Sequence, residues 1–292
     1  MTTIETRDRP RRTTWQGYLL VAPAVAVIVL LVVVPTVIVA RESFAIPDPL
    51  GGTLGGFTLD NYATLLDPVY LKTIGYSLGM AAANAVVCLV VGYVVATWIA
   101  AARPERQPLL LLLVIIPFWT DFLVRTFAWI NILGSGGIVV TALRAVGIQA
   151  ESFVPSQGAV VLSLLYAFLP VAVFPIYASL RSIDPSLPEA ATDLGCSWWQ
   201  TQRRVILPLA APGIAAAVML TFVPTLGVFV IPVLLGGGLD PLVGNLIVTL
   251  FTEFRNQALG SAMAMVVLVL MLASVAIAGI AMRIAASRRS SS

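Results

Sequence analysis

The chain has 292 residues, of which 59% are hydrophobic and 11% charged, and its net charge is +3. A soluble domain carries about 25% charged residues, so the composition excludes an ordinary water-soluble fold and points to a bilayer as the solvent. No histidine and only two cysteines exclude a His/Cys zinc site, and no basic stripe interleaved with aromatics marks a nucleic-acid binder.

Residues 1–12 are polar and carry Arg7, Arg9, Arg11 and Arg12. The uncharged run that follows, 15–40, is too long for the apolar core of a signal peptide and reads as a retained membrane helix. A loop rich in Gly, Pro and Asp then runs from Arg41 to Lys72, and is expected to pack over the outer face of a partner. Uncharged runs at 73–102, 152–180, 205–239 and 256–282 follow, with 109–133 interrupted only by Asp121 and Arg125. Each supplies the roughly 20 apolar residues that cross about 30 Å of hydrocarbon. The expectation is an all-α integral membrane protein with six transmembrane helices. Its membrane domain spans 17–286, with cytoplasmic tails at 1–16 and 287–292. Cys88 in an apolar run and Cys196 in an inner segment are poorly placed for a disulfide.

Charge placement orients the spans. With the N-terminus inside, inner segments hold Arg7, Arg9, Arg11, Arg12, Arg103, Arg106, Arg181, Arg203, Arg204, Arg283, Arg288 and Arg289, twelve of the 17 basic residues. Outer segments hold Arg41, Lys72, Arg144 and Arg255. Both termini are therefore expected in the cytoplasm. The outer loops 134–157 and 236–255 carry glycines and suit short re-entrant or interfacial turns. No internal repeat is visible, so an inverted-repeat carrier gains no support.

Within the third span, Asp121 and Arg125 are four residues apart, on one face of a continuous helix, and placed to pair. A charge at the bilayer centre costs roughly 2.5–3.5 kcal/mol. Two readings stand: a buried pair that fixes packing, or a lining of a solute path. Pro35, Pro117, Pro170, Pro175, Pro224 and Pro232 lie in the spans, as ordinary helix shaping or as hinges for alternating access.

The inner segment 181–211 is longer than a connector needs. Ser186 is expected to cap a short helix, with Pro188 and Glu189 in its first turn. Gly195 ends that helix, and Ser197 with Gln200 forms a capping box for a second. A folded cytoplasmic loop between two spans reads as a docking surface. Trp198 and Trp199 in it anchor to headgroups or wedge against a partner, and the sequence does not separate the two.

Glu189-Ala190-Ala191, Gly195, Val205 and Leu207-Pro208 resemble the conserved cytoplasmic loop of ABC importer permeases, which reads Glu-Ala-Ala, three residues, Gly, nine residues, Ile, one residue, Leu-Pro. Val205 replaces the Ile. The resemblance implies the type I ABC importer (MetI-like) permease fold in a bacterial inner membrane. It also implies a coupling loop that docks in a cleft of a separate ATPase. The coupling set is then Glu189, Ala190, Ala191, Asp193, Gly195, Val205, Leu207 and Pro208. Glu189 orients the loop or pairs with a basic residue of the ATPase, and the alanines allow close approach. The chain has no Gly-x-x-x-x-Gly-Lys-Ser/Thr loop. It is expected to bind no cofactor, with ATP and Mg²⁺ held by an ATPase dimer. A second homologous permease and an extracytoplasmic solute-binding protein complete the implied assembly.

The stretches 117–129 and 222–238, with Gly244 and Asn245, resemble the first of two permeases in spermidine/putrescine importers, which favours a heterodimer. One departure is Val228, where many members of that branch carry an acidic or aromatic residue. A polyamine needs carboxylates and aromatic faces. Candidates for the path are Trp119, Asp121, Phe122, Arg125, Phe222, Phe229 and Asn245, with Phe127 and Trp129 nearby. Trp129 and Trp98 equally suit a membrane-interface belt. Related importers of phosphonate, sulfate, iron or amino-acid-like solutes share parts of these stretches. A secondary transporter, a channel and a membrane enzyme are the rival classes: the first two leave the loop unexplained, and the third lacks a histidine to serve a catalytic constellation.

Overall fold

The computed structural model describes residues 14–238 and 241–290. The expected tails at 1–16 and 287–292 fall largely outside those residues.

Helix α1 (Thr14–Ile28) passes through a π turn (Val29–Val33) into α2 (Val34–Glu42). A two-residue ribbon, β1 (Ile46–Pro47) against β2 (Thr53–Leu54), and α3 (Asp60–Thr64) lead to α4 (Pro68–Ala101). Then come α5 (Gln107–Ile115), a 3₁₀ turn (Ile116–Trp119), α6 (Phe122–Leu133), α7 (Ile138–Ala145) and α8 (Gln157–Arg181). The segment after α8 contains α9 (Ser186–Asp193) and α10 (Trp198–Thr201), followed by a second π turn (Gln202–Ile206) and α11 (Leu207–Gly227). The chain ends with α12 (Val230–Gly236), α13 (Val243–Thr252) and α14 (Gln257–Ser290).

Six helical stretches among the described residues are long and apolar enough to cross a membrane: Val21–Glu42, Pro68–Ala101, Phe122–Ala145, Gln157–Arg181, Trp198–Gly227 and Gln257–Ile280. The third differs from the expected 109–133. Pro117 lacks the amide that a helix there would use, the chain tightens into the 3₁₀ turn, and Thr120 and Asp121 are extended. Likewise 205–239 is not continuous, because Val228 is extended between α11 and α12.

Both π turns have the same local cause. Each is followed, two residues after its end, by a proline: Pro35 after Val33, and Pro208 after Ile206. A proline ring crowds the carbonyl four residues back, and one wide turn relieves the crowding without breaking the helix.

The centre of the bundle is α4, α8 and α11. Small residues line their contacts, with Ala81, Ala85, Ala96, Ala172 and Ala217 all buried. In lipid, close backbone approach and van der Waals packing take the place of the hydrophobic effect between helices. Gly213 marks the tightest approach: a Cβ there would strike the Pro175 carbonyl and the Ser179 side chain. Asn84 Nδ2 donates to Thr225 Oγ1 at 2.9 Å, a buried α4–α11 bond. Such interhelical bonds contribute about 0.6 kcal/mol on average.

The 41–72 loop packs on its own chain. Asn61 Nδ2 donates to the Ser43 and Ala45 carbonyls at 3.0 and 2.9 Å, and the Gly52 amide donates to the Arg255 carbonyl at 3.0 Å. Leu65 joins Val243, Leu250 and Leu259 in a buried cluster.

Candidate functional site

The segment between α8 and α11 folds as the helix–glycine–helix unit that its sequence implies. Its first cap differs from expectation. Ser186 is the first residue of α9 rather than its cap, and Asp184 Oδ1 accepts the Ser186 amide at 3.0 Å. That hydrogen bond holds the fully exposed Asp184 carboxyl below its ordinary value. At the other end, Gly195 has φ +82°. The Cys196 amide bonds the Ala191 carbonyl at 3.0 Å and the Gly195 amide bonds the Thr192 carbonyl at 2.9 Å. This pair of bonds is a Schellman termination, and its left-handed residue favours glycine. Gln200 Oε1 then accepts the Ser197 amide at 2.8 Å, starting α10.

The unit has two faces. Ala191 is buried against the protein, while Glu189, Ala190 and Asp193 are exposed. Apolar side chains stand beside them in the open: Leu187, Leu194, Trp198 and Trp199. The two indoles meet edge to face, 4.6 Å between centroids. Val205 and Pro208 are half-buried and Leu207 is exposed. Charge next to exposed apolar surface is what a protein-docking face presents.

One tyrosine joins this unit to a membrane helix, and a second ties the neighbouring helix ends together. Tyr93 Oη on α4 donates to Gln202 Oε1 in the second π turn at 2.6 Å. Tyr177 Oη on α8 donates to Gln107 Oε1 at 2.8 Å, and Gln107 Nε2 donates to the Ala100 and Ala102 carbonyls at 3.2 and 2.9 Å. Gln107 thereby closes the open C-terminus of α4. A cavity of about 590 Å³ lies between the ends of α4 and α8 and the helices α9 and α10, with Arg181, Trp198 and Gln202 in its wall.

The membrane charges sit differently from expectation. Asp121 does not pair with Arg125. It is the N-cap of α6, and its Oδ1 accepts the Leu123 and Val124 amides at 2.8 and 3.3 Å. An N-cap carboxylate turns along the helix axis toward the first amides, so the four-residue spacing does not bring the two groups together. Arg125 is half-buried, with its guanidinium 5.5 Å from the Phe118 ring centroid and 5.9 Å from that of Phe122.

The other path candidates are scattered. Trp119 is 73% exposed beside Asp121, and Phe229 is exposed at the α11–α12 break. Phe222 is half-buried on α11. Asn245 is buried, and both ends of its amide are engaged: Nδ2 donates to the Phe229 carbonyl at 2.6 Å and Oδ1 accepts the Leu242 amide at 3.2 Å. Asn245 therefore satisfies the Phe229 carbonyl at the break and ties it to the start of α13. Trp129 packs edge to face on Tyr166, and Trp98 is exposed.

Sequence reasoning missed Tyr93, Gln107, Tyr177 and Gln202. Their partners lie far along the chain, so no local pattern announces them. The available signal was polar amides and phenols at the ends of apolar runs.

Residues 92–290 match the family described as the binding-protein-dependent transport system inner membrane component. The spermidine/putrescine transport system permease protein PotB of Salmonella typhimurium (strain LT2) is 39% identical over 249 residues, covering 84% of this chain and 86% of that protein. PotB of Escherichia coli K12 is 38% identical over 248 residues, covering 84% and 90%. Among solved structures, a chain of the bacterial alginate ABC transporter in complex with its alginate-bound periplasmic protein superposes with a TM-score of 0.77 over 93% of this chain and 95% of that one, at 18% identity. A chain of the inward-facing MetNI methionine ABC transporter gives 0.54 over 74% and 95%, also at 18% identity. These last likenesses concern the fold, which is that of ABC importer permeases. The family match spans more than half of the chain and the PotB relatives span most of it, so this protein belongs to the inner-membrane permease components of binding-protein-dependent ABC importers.

Proposed function

We propose that the chain forms half of the path by which a polyamine of the putrescine or spermidine kind enters the cell, driven by ATP hydrolysed on a separate subunit. The observation that carries the reading is the folded loop 181–211. Its motif residues present an exposed face of Glu189, Ala190 and Asp193 bordered by Leu187, Leu194 and Trp199. The 37–39% identity to spermidine/putrescine permeases supports the solute class.

The mechanism is mechanical. Closure of an ATPase dimer around ATP and Mg²⁺ pushes the docked loops, and the π turn with Gln202 passes that push to α11 and α4. The membrane bundle then changes between two packings. The chain itself performs no bond chemistry. Both termini face the cytoplasm in this reading, which puts the loop on the ATP side. A second, related permease encloses the path, and an extracytoplasmic binding protein delivers the solute. The exposed Trp119 and Phe229 and the half-buried Phe122 and Phe222 are the aromatic surfaces that a cation would meet, with Asp121 next to Trp119 and Phe122.

The Val228 departure favours one alternative: the same mechanism with another small solute. Val228 sits at the α11–α12 break, next to Phe229. The deciding measurement is ATP hydrolysis by the complex of both permeases and the ATPase in lipid nanodiscs, with the binding protein added. Stimulation by spermidine or putrescine is expected. Hydrolysis that depends on the binding protein but ignores both polyamines would retain the importer and remove the solute.

A further inference from the structure

We infer that the cavity beneath the 181–211 loop binds an anionic phospholipid, whose phosphate meets Arg181 and whose glycerol and first methylenes meet the apolar wall. Such a site needs only the membrane helices, whatever the solute.

The cavity holds about 590 Å³, within the roughly 300–1,000 Å³ of ligand sites. Its walls are the ends of three membrane stretches. Ala100 and Ala101 close Pro68–Ala101, Leu180 and Arg181 close Gln157–Arg181, and Trp198 and Gln202 open Trp198–Gly227. The chain turns polar beyond the first two, with Arg103, Glu105 and Arg106 after α4 and Ser182 and Asp184 after α8. Three such ends around one cavity put it at headgroup depth, and an indole in its wall suits that layer.

The roof is the inward side of the loop. Pro188 lines the cavity, and Ala191, three residues on, is buried on the same side of α9. Glu189, Ala190 and Asp193 are exposed on the opposite side. A protein seated on that docking face therefore leaves the cavity to the bilayer.

Among the described residues of the wall, Arg181 alone is charged. It forms no ion pair among the described residues, and the nearest acid in sequence, Asp184, accepts the Ser186 amide. A guanidinium presents a fork of donors that matches phosphate. Beside it stand Leu180, Ile183 and Ile206. A free phosphate gains nothing from these side chains, whereas a phospholipid uses both the cation and the apolar wall. Basic pockets between membrane helices hold headgroups in this way. Arg103, Arg106, Arg203 and Arg204 are exposed on the segments that flank the cavity in sequence, a field that draws anionic lipid over zwitterionic. The bound lipid spans Arg181 at the end of α8 and Gln202, which Tyr93 ties to α4, so it braces the loop against both helices.

The test uses the assembled complex of both permeases and the ATPase. It is reconstituted in phosphatidylcholine nanodiscs containing a minor fraction of phosphatidylglycerol and released into detergent. The phosphatidylglycerol retained is counted by native mass spectrometry, as the difference between wild type and variants of this chain. Arg181→Gln is expected to weaken retention at least about tenfold, as loss of a charge-assisted contact does. Ala101→Phe, which fills the cavity from an exposed position and leaves the arginine, is expected to act alike. Arg103→Gln and Arg106→Gln are expected to stay near wild type, and excess inorganic phosphate is expected to displace nothing. Wild-type retention in either Arg181→Gln or Ala101→Phe overturns the site. So does an equal loss in Arg103→Gln, which would reveal diffuse surface attraction, or displacement by phosphate, which would reveal an ion pocket. Retention by the single chain but not by the complex also overturns it, since a partner subunit would then fill the cavity.

Discussion

Tyr93 and Gln202 are separated by 109 positions in sequence and joined by a 2.6 Å hydrogen bond between side chains. The bond ties α4 to the turn that leads from the 181–211 loop into α11, so in the proposed mechanism a push on the loop reaches two membrane helices at once.

Tyr93→Phe removes only the hydroxyl. A hydrogen bond of this kind contributes about 1 kcal/mol, worth a factor of about 5 in an equilibrium. Solute moved per ATP hydrolysed should fall several-fold, with the amount of protein in the membrane unchanged. An unchanged ratio would assign the bond to packing alone.

Gly195→Asp places a side chain at φ +82°. The left-handed conformation costs a residue with a Cβ roughly 1–2 kcal/mol, and the Schellman bonds to Ala191 and Thr192 loosen. Glu189→Lys reverses charge on the exposed face. Both variants should abolish uptake while remaining in the membrane, and normal uptake by both would remove the coupling role from this loop.

Gly213→Val should act on the fold. Its side chain would meet the Pro175 carbonyl directly. Overpacking of this sort costs typically 1–3 kcal/mol. The purified protein should melt earlier, and a melting temperature equal to wild type would mean that α8 and α11 part without cost.

Asp121 is a helix cap, so its variants should rank by capping power. Asn keeps an acceptor oxygen and should be nearly neutral, whereas Ala should cost about 1 kcal/mol. Equal loss in both would point to the charge itself, and hence to the solute path.

Asp184 brings a pH dependence outside the membrane. Its carboxyl is lowered by the Ser186 amide. The stabilisation of α9 is therefore complete above the ordinary carboxylate value and is lost as pH falls through the lowered one. Amide exchange in α9 should accelerate with acid beyond the ordinary chemical trend in wild type, and should be fast at all pH values in Asp184→Ala. Identical profiles would show that the cap does not hold the helix.

The membrane character and most spans were legible because charge is excluded from hydrocarbon and so punctuates the chain. Breaks inside an uncharged run were not legible by that rule. The 120–121 interruption did carry a signal, an Asp after a proline-containing turn, which is an N-cap signature. Reading 109–133 as one helix turned that cap into an ion-pair partner and hid the isolation of Arg125. In the coupling loop, Gly195 and the Ser197–Gln200 pair were legible since their chemistry is local. Asp184 was not: it and Ser186 are both good caps, and Pro185, whose φ is fixed near the helical value, lets the helix begin one step beyond the aspartate. Tyr93–Gln202 depends on how α4 meets α11, which no window of sequence contains.

The first membrane stretch, Val21–Glu42, has none of its apolar side chains buried within the chain. The inner bundle of α4, α8 and α11 thus closes without it. During synthesis this stretch can enter the bilayer and hold the emerging chain there while the later helices find one another. Exchanges among Val, Ile and Leu along it should pass unnoticed in the melting of the single chain, because its length and greasiness, rather than its shape, are what the bilayer reads.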